Sequence, residues 1–366
     1  MWLKAHRYCA LTLGWLLVLA ALLGAALTVA HPLDQALHPG LFARGAQNGA
    51  ASCRLETVQA RLLSEFGPTA SYTFRPPREA ADTLWVRVRG GWNGTVYVDP
   101  SDCRERGRRG EREGFYNLLF ELHSALLLGE RGQAVLTTAA ATYLALLLSG
   151  LVLWWPNRWP PRLQVRWSAG ALRSVFDLHG LGGAFLGLFL AVAVATGAYM
   201  SWPPLRPFVS SLAGERPAPA PVVPRAAAAA SAMPLDQLVR IAQARWPQGK
   251  VGSVISGGDT ARPVRVRLKL PDDPHPVGLS SVWLHPATGE VLALQRWDQL
   301  DLGHKAISVI YPLHTGDLGG PLHAVLVGLL GLALAGLGGS GLWLWWRRRP
   351  ATSRNWMRPN SRPLER

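Results

Sequence analysis

Cysteine is scarce, three in 366 residues, and no two stand in a Cys-x-x-Cys or Cys-x-x-Cys-His spacing. That excludes a covalently attached c-type haem and a paired-cysteine zinc site. His-Glu-x-x-His and the phosphate-loop signature are missing as well. Acidic residues are few, 23 against 38 Lys and Arg, for a net charge of +15. The longest apolar runs hold almost no acidic side chain, so a proton or cation path through them lacks its usual carriers.

Long apolar runs are what the chain does have. Four are long enough to cross a bilayer, which takes about 20 residues: Tyr8–Ala30, Ala134–Trp155, Gly180–Trp202 and Leu322–Trp346. Many of the 16 Trp flank these runs, among them Trp154, Trp155, Trp202, Trp343, Trp345 and Trp346, where amphipathic rings settle at a membrane interface. Thr28-Val29-Ala30 resembles a signal-cleavage site. The preceding run, however, far exceeds the roughly 7–15 apolar residues of a signal core, so the first span is expected to stay.

The positive charge invites a nucleic-acid reading, and its distribution argues against one. Lys4 and Arg7 precede the first span, four Arg lie in 156–179, and seven Arg lie in 347–366. Segments 31–133 and 203–320 are close to balanced, with 13 basic and 12 acidic residues in one and 12 and 9 in the other. Basic residues gathered in short segments mark the cytoplasmic side. The expected organisation follows. Residues 1–30 are a cytoplasmic N-terminus and first span; 31–133 form an outer domain; 134–155 span; 156–179 are a cytoplasmic loop. Residues 180–202 span, 203–320 form a second outer domain with an Ala/Pro linker at 213–232, 321–346 span, and 347–366 are a basic cytoplasmic tail. The setting is a bacterial inner membrane. No nucleic acid is expected as a partner; the lipid bilayer is.

In the first outer segment, Leu55–Phe66 has helical periodicity, followed by strand-like alternation at Ala70–Phe74, Thr83–Arg89 and Gly94–Val98. The second repeats the plan: a helix over Pro234–Trp246, then strands at Lys250–Ser256, Val264–Leu270, Leu279–Leu284 and Glu290–Gln295. Cys53 and Cys103 fall in the first segment. In an oxidising envelope they are a candidate disulfide, while Cys9 reads as an inert packing residue of the first span.

The membrane part repeats too. His6 precedes Gly14 and Gly24 by the same spacings by which His179 precedes Gly187 and Gly197. His123 precedes Ser149-Gly150 and Trp154-Trp155 as His314 precedes Ser340-Gly341 and Trp345-Trp346. The chain therefore reads as two copies of span, outer domain, span. Topology puts His6 with His179 at the cytoplasmic end and His123 with His314 at the outer end. Paired imidazoles inside a helix bundle suit the axial positions of a haem iron, and the four Gly leave room for a macrocycle. Small residues also serve close span packing, as Gly183 and Gly187 are spaced to do. His31 and His323 lie at outer span ends and are alternative outer ligands. His38, His275, His285 and His304 sit in turn-like contexts and are expected to be solvated.

With these residues the chain resembles the PepSY-associated transmembrane proteins, an iron-regulated inner-membrane group that includes ferric-siderophore reductases. The resemblance is carried by His6 with Leu13-Gly14, Leu122-His123, Gly150-Leu-Val-Leu-Trp-Trp-Pro156, Leu178-His179-Gly180, Thr196-Gly197, Pro312-Leu-His-Thr-Gly316 and Gly341-Leu-Trp-Leu-Trp-Trp346. It implies a membrane α-helical fold: four transmembrane helices as two tandem repeats, with two extracytoplasmic α+β PepSY-like domains. It implies two haem b groups, on His6 and His179 and on His123 and His314. Electrons would come from a quinol or a cytoplasmic reductase and reduce a ferric siderophore or another ferric chelate. From a different class, the same architecture suits a cofactor-free anchor whose PepSY modules bind or inhibit an envelope peptidase or other protein.

Overall fold

The computed structural model describes residues 1–43, 53–79, 81–155, 163–215, 221–223 and 231–348. The 213–232 linker, the 156–179 loop and the basic tail therefore lie largely or partly outside the described residues. Among the described residues four helices are long and apolar enough to cross a membrane: Trp2–Leu37, Glu130–Trp154, Ala171–Ser201 and Asp317–Arg347. Each extends past its apolar stretch at one end or both.

The first span comprises α1 (Trp2–Cys9), a π-helical turn over Ala10–Gly14, and α2 (Trp15–Leu37). A short α3 (Pro39–Phe42) and α4 (Leu55–Phe66) precede strands β1 (Ser71–Arg75), β2 (Leu84–Arg89), β3 (Gly94–Val98) and β4 (Glu105–Gly110). Then come α5 (Phe115–Ala125) and the spans α6 (Glu130–Trp154) and α7 (Ala171–Ser201). The second half continues through α8 (Arg206–Ala213), α9 (Leu235–Arg245), β5 (Lys250–Gly257), β6 (Val264–Lys269), β7 (Ser280–Leu284) and β8 (Val291–Gln295). It closes with α10 (Leu302–Ser308), α11 (Ile310–Thr315) and the span α12 (Gly320–Arg347).

Sequence reading expects two separate outer domains; the structure merges their strands. All eight form one antiparallel sheet in the order β4-β3-β2-β1-β5-β6-β7-β8. The seam is β1 against β5, with Tyr72 opposite Ser256 and Phe74 opposite Val254. The reason is the shared apolar face. Alternation turns Tyr72, Phe74, Val86, Val88, Val254, Val266 and Val282 to one side, where all are fully buried. There they meet Val58 and Leu62 of α4 and Leu235 and Leu238 of α9 in one core. Two four-stranded sheets would leave β1 and β5 as open edges. The Tyr72 hydroxyl is satisfied inside the core by the carbonyls of Leu62 and Gly67, at 3.2 and 3.1 Å. β4 is unforeseen in sequence. Cys53 and Cys103 are joined, with Cα atoms 4.9 Å apart, tying the start of α4 to the β3–β4 turn.

The sheet docks on the end of the first span. Arg109 of β4 reaches Asp34 of α2 at 2.6 Å, and both are buried. Thr83 donates to the Leu41 carbonyl at 3.0 Å. Two turn histidines that sequence reading leaves solvated are instead 8% and 2% exposed, His275 and His285. Each ring Nδ1 accepts backbone N–H groups of its own turn, from Val277 and from Ala287 and Thr288, so the imidazole folds inward to brace the loop.

Candidate functional site

Below the sheet, α2 packs on α12, α6 on α7, α12 on α7, and α1 on α6. Leu16, Leu17, Ala139, Tyr143 and Leu190 make the buried centre of the bundle. On either side of that centre two imidazoles face each other. His6 of α1 and His179 of α7 have ring centroids 6.4 Å apart, with planes at 85°. His123 of α5 and His314 of α11 are 6.2 Å apart, with planes at 33°.

The second pair does not stand on the spans themselves. α5 runs back along α2, and the chain then reverses through Leu126 and Leu127, both at positive φ (52° and 60°). Such backbone is costly for a γ-branched side chain and persists where the surroundings impose it. Gly132 allows the reversal: a Cβ there would stand 1.7 Å from the Ala125 carbonyl oxygen. α11 plays the matching part before α12, with Gly316 at φ 86°.

All four rings are held through Nδ1. His123 Nδ1 is 2.9 Å from the Ala20 carbonyl. His314 Nδ1 is 3.1 Å from the Ala193 carbonyl, and His179 Nδ1 is 3.1 Å from the Leu337 carbonyl. A carbonyl only accepts, so Nδ1 carries the proton. His6 Nδ1 is 2.9 Å from Ser149 Oγ, whose own proton goes to the Ala145 carbonyl at 2.6 Å; here too Nδ1 donates. Each Nε2 is left with its lone pair, and among the described residues no protein group hydrogen-bonds to it. Hydrogen bonds of this kind to Nδ1 are what orient an imidazole whose Nε2 ligates a metal.

A glycine lies under every ring. A Cβ on Gly24 would come within 2.9 Å of His123 Cε1, and on Gly197 within 2.8 Å of His314 Cε1. On Gly150 it would stand 3.3 Å from His6 Cε1, and on Gly341 3.1 Å from His179 Cε1. Gly24 and Gly197 thus clear the imidazole rings themselves. Gly14 closes the π-helical turn beside Ala10, and Gly187 faces Leu147. Among the described residues nothing lies within 4 Å of the would-be Cβ of Gly183. Sequence reading uses Ser149-Gly150 and Ser340-Gly341 only as alignment marks; their role as props and clearances for His6 and His179 is a structural result.

The His31 ring lies tilted to Tyr116 at 5.0 Å and edge-on to Trp85 at 5.8 Å and Phe42 at 6.2 Å, and its Nδ1 is buried without a partner. His323 Nδ1 accepts the Gly319 N–H at 3.3 Å, in the first turn of α12. Neither ring joins the His123–His314 contact.

Residues 3–348 match the family described as the PepSY-associated TM region. The chain belongs to this family. With four bilayer-length helices and a separate antiparallel sheet, it is a multi-pass membrane protein whose immediate partner is lipid. It is similar to an uncharacterized protein of Pseudomonas aeruginosa, PA4219, with 29% identity over 257 residues, covering 64% of this chain and 64% of that protein. The match therefore spans just under two thirds of that relative's length.

Proposed function

We propose that this PepSY-family protein carries electrons across the membrane through two b-type haems and reduces a ferric chelate on the sheet side. His6 and His179 hold one haem; His123 and His314 hold the other. One observation carries the reading: both imidazole pairs face each other at 6.2–6.4 Å with Nδ1 tied back and Nε2 free. Two imidazole nitrogens on one metal, each at a bond of about 2.0 Å, need ring centres about 6 Å apart. Bound there, haem iron supplies one-electron exchange between its ferric and ferrous forms. The protein's part is to fix the ligands: backbone carbonyls and Ser149 set the tautomer, and the glycines let the rings lie against the helices.

The pairs are far apart. His179 and Gly197, which touches His314, are separated by 18 residues of one helix, roughly 27 Å at helical rise. One pair alone would leave most of the hydrocarbon layer to cross. We read the two halves as tandem copies and the sheet as periplasmic, both termini being cytoplasmic. The matched pairs support the tandem reading, and the gathering of Lys and Arg in residues 1–30, 156–179 and 347–366 supports the orientation. The electron donor is a quinol or a cytoplasmic reductase. Chelators with hard oxygen donors prefer ferric iron, so reduction loosens their hold.

The test is the visible spectrum of detergent-purified protein from haem-replete cells. The expected result is two haems per chain, low-spin with bis-imidazole ligation. His6→Ala or His179→Ala removes one, and His123→Ala or His314→Ala the other. A colourless wild-type protein ends this reading and leaves the anchor that binds an envelope protein. Reporter fusions after Pro100, Val165 and Thr260 check the orientation; an external signal at Val165 refutes it.

A further inference from the structure

The sheet face opposite the helices α4 and α9 is cationic and turned toward the bundle. Alternation puts Arg75 beside Trp85, and Arg265 beside Ile255 and Trp283, on that face. Arg267 joins them through its pairing with Ser253 and Ser281. The orientation is fixed by Trp85, which meets His31 of the first span, and by Arg75, which lies within electrostatic reach of Tyr311 and Tyr116.

These guanidinium groups lack carboxylate partners. Elsewhere Arg108, Arg109, Arg166, Arg173 and Arg296 are each ion-paired, and Arg87 on this same face pairs with Glu111 at 3.4 Å. Among the described residues Arg75, Arg265 and Arg267 have no such pair. Arg265 Nε reaches only Ser281 Oγ, at 3.0 Å, and its guanidinium lies over the Trp283 ring at 4.7 Å. Arg267 donates to the Gly278 carbonyl, and its Nε is buried without a partner. Asp273, the acid that acts electrostatically on Arg267, is occupied by the N–H groups of His275, Leu279 and Ser280; Asp317 takes the Thr315 hydroxyl at 2.9 Å. Burial, then the neighbouring Arg267, push Arg265 down to about 10. Like charges half-buried together cost stability, and an anion relieves that cost.

The face also leads to the sheet-side histidines. Tyr311 stands one turn before His314 on α11, and Tyr116 two turns before His123 on α5. His275 stacks on Tyr311 at 5.8 Å, and Tyr311 itself is 45% exposed.

We propose that Arg75, Arg265 and Arg267 form the binding site of an oxyanion-rich ligand, bearing carboxylate or phosphate groups, seated over Tyr311 on the sheet side of the His123–His314 pair. That the ligand is the electron acceptor, an anionic ferric chelate, rests on the electron-transfer reading; the binding does not. Planar guanidinium forks match carboxylate and phosphate oxygens.

The probe is gallium(III) citrate, which is redox-inert, titrated calorimetrically into the full chain in phosphatidylcholine nanodiscs. Wild type binds, and added salt weakens it. Arg267→Gln loses about tenfold or more, the worth of one charge-assisted bond. Arg75→Gln, at an exposed strand end where folding is not at risk, does the same. Arg87→Gln, whose partner is Glu111, changes little. Repeating the titration with phosphatidylglycerol in the disc separates the sources: equal affinity identifies a soluble anion, and loss of binding a lipid headgroup. No binding in neutral discs, or unchanged affinity in both variants, overturns the proposal. Protein that binds gallium citrate but passes no electron to ferric citrate refutes the electron-transfer reading and leaves the site standing.

Discussion

On the proposed two-haem reading, the four ring-facing glycines predict a graded loss of haem. Alanine at each adds one methyl group against an imidazole edge. Ordinary contact begins at 3.4 Å; the added carbon would stand at 2.8 Å on Gly197, 2.9 Å on Gly24, 3.1 Å on Gly341 and 3.3 Å on Gly150. The intrusion thus runs from 0.6 Å at Gly197 to 0.1 Å at Gly150. The rings cannot retreat freely, because each is bonded through Nδ1 to the helix that carries its glycine: His123 and His314 to the Ala20 and Ala193 carbonyls, His179 to the Leu337 carbonyl and His6 to Ser149 Oγ. Turning the ring breaks that bond and misaims Nε2. Loss of a comparable orienting contact costs about 10–100-fold in metal affinity. Gly197→Ala and Gly24→Ala are therefore expected to lose the sheet-side haem by that factor, Gly341→Ala to lose less, and Gly150→Ala to bind close to normally. Haem-to-protein ratio and the reduced-minus-oxidised spectrum, set beside His314→Ala and His6→Ala, read the outcome. Equal haem in all four variants, or greater loss in Gly150→Ala than in Gly197→Ala, refutes the reasoning.

Three further outcomes are expected. Opening Cys53–Cys103, which closes a span of 50 residues, lowers sheet stability by about 4 kcal/mol in the chain-entropy model; unchanged thermal unfolding of Cys53→Ala/Cys103→Ala protein contradicts this. Asp34→Asn strands the buried Arg109 charge and costs about 3–5 kcal/mol, detectable as faster proteolysis of the sheet; Asp34→Asn with Arg109→Met recovers much of it. Burial first, then the charges of Arg267, Lys269, Arg78 and Arg75, hold His275 down to about 4. The unfolded chain, at the ordinary 6.5, takes a proton first, so this contribution is full above pH 6.5 and is lost as pH falls through 4. It amounts to about 3 kcal/mol at 1.36 kcal/mol per unit. His275→Gln is expected to flatten that part of the pH–stability curve, and an unaltered curve argues against it.

Period decides what was legible in the residues. The spans, the helix Leu55–Phe66 and the strand Gly94–Val98 show in their apolar spacing and are found where expected. β4 does not show, since Glu105-Arg-Gly-Arg-Arg-Gly has no apolar alternation and becomes a strand only by pairing with β3. Nor does the β1–β5 seam, which joins strands from opposite halves and leaves no local mark. The histidine pairs are visible as equal spacings because each half places them alike. Their Nδ1 acceptors are mostly main-chain carbonyls, at Ala20, Ala193 and Leu337, which no side-chain pattern announces. His275 and His285 look like loop residues because their polar partners are backbone N–H groups of the same turn.

The β1–β5 seam also sets the order of assembly. β1 ends at Arg75 and its partner β5 begins at Lys250. At about 5–20 residues per second of synthesis, β1 waits on the order of ten to thirty seconds with one edge unpaired. During that wait three further strands can fold outward from it, but the central edge stays open to any extended chain. The first half alone is thus a template for pairing with a second copy of itself, and the later strand is what ends that exposure.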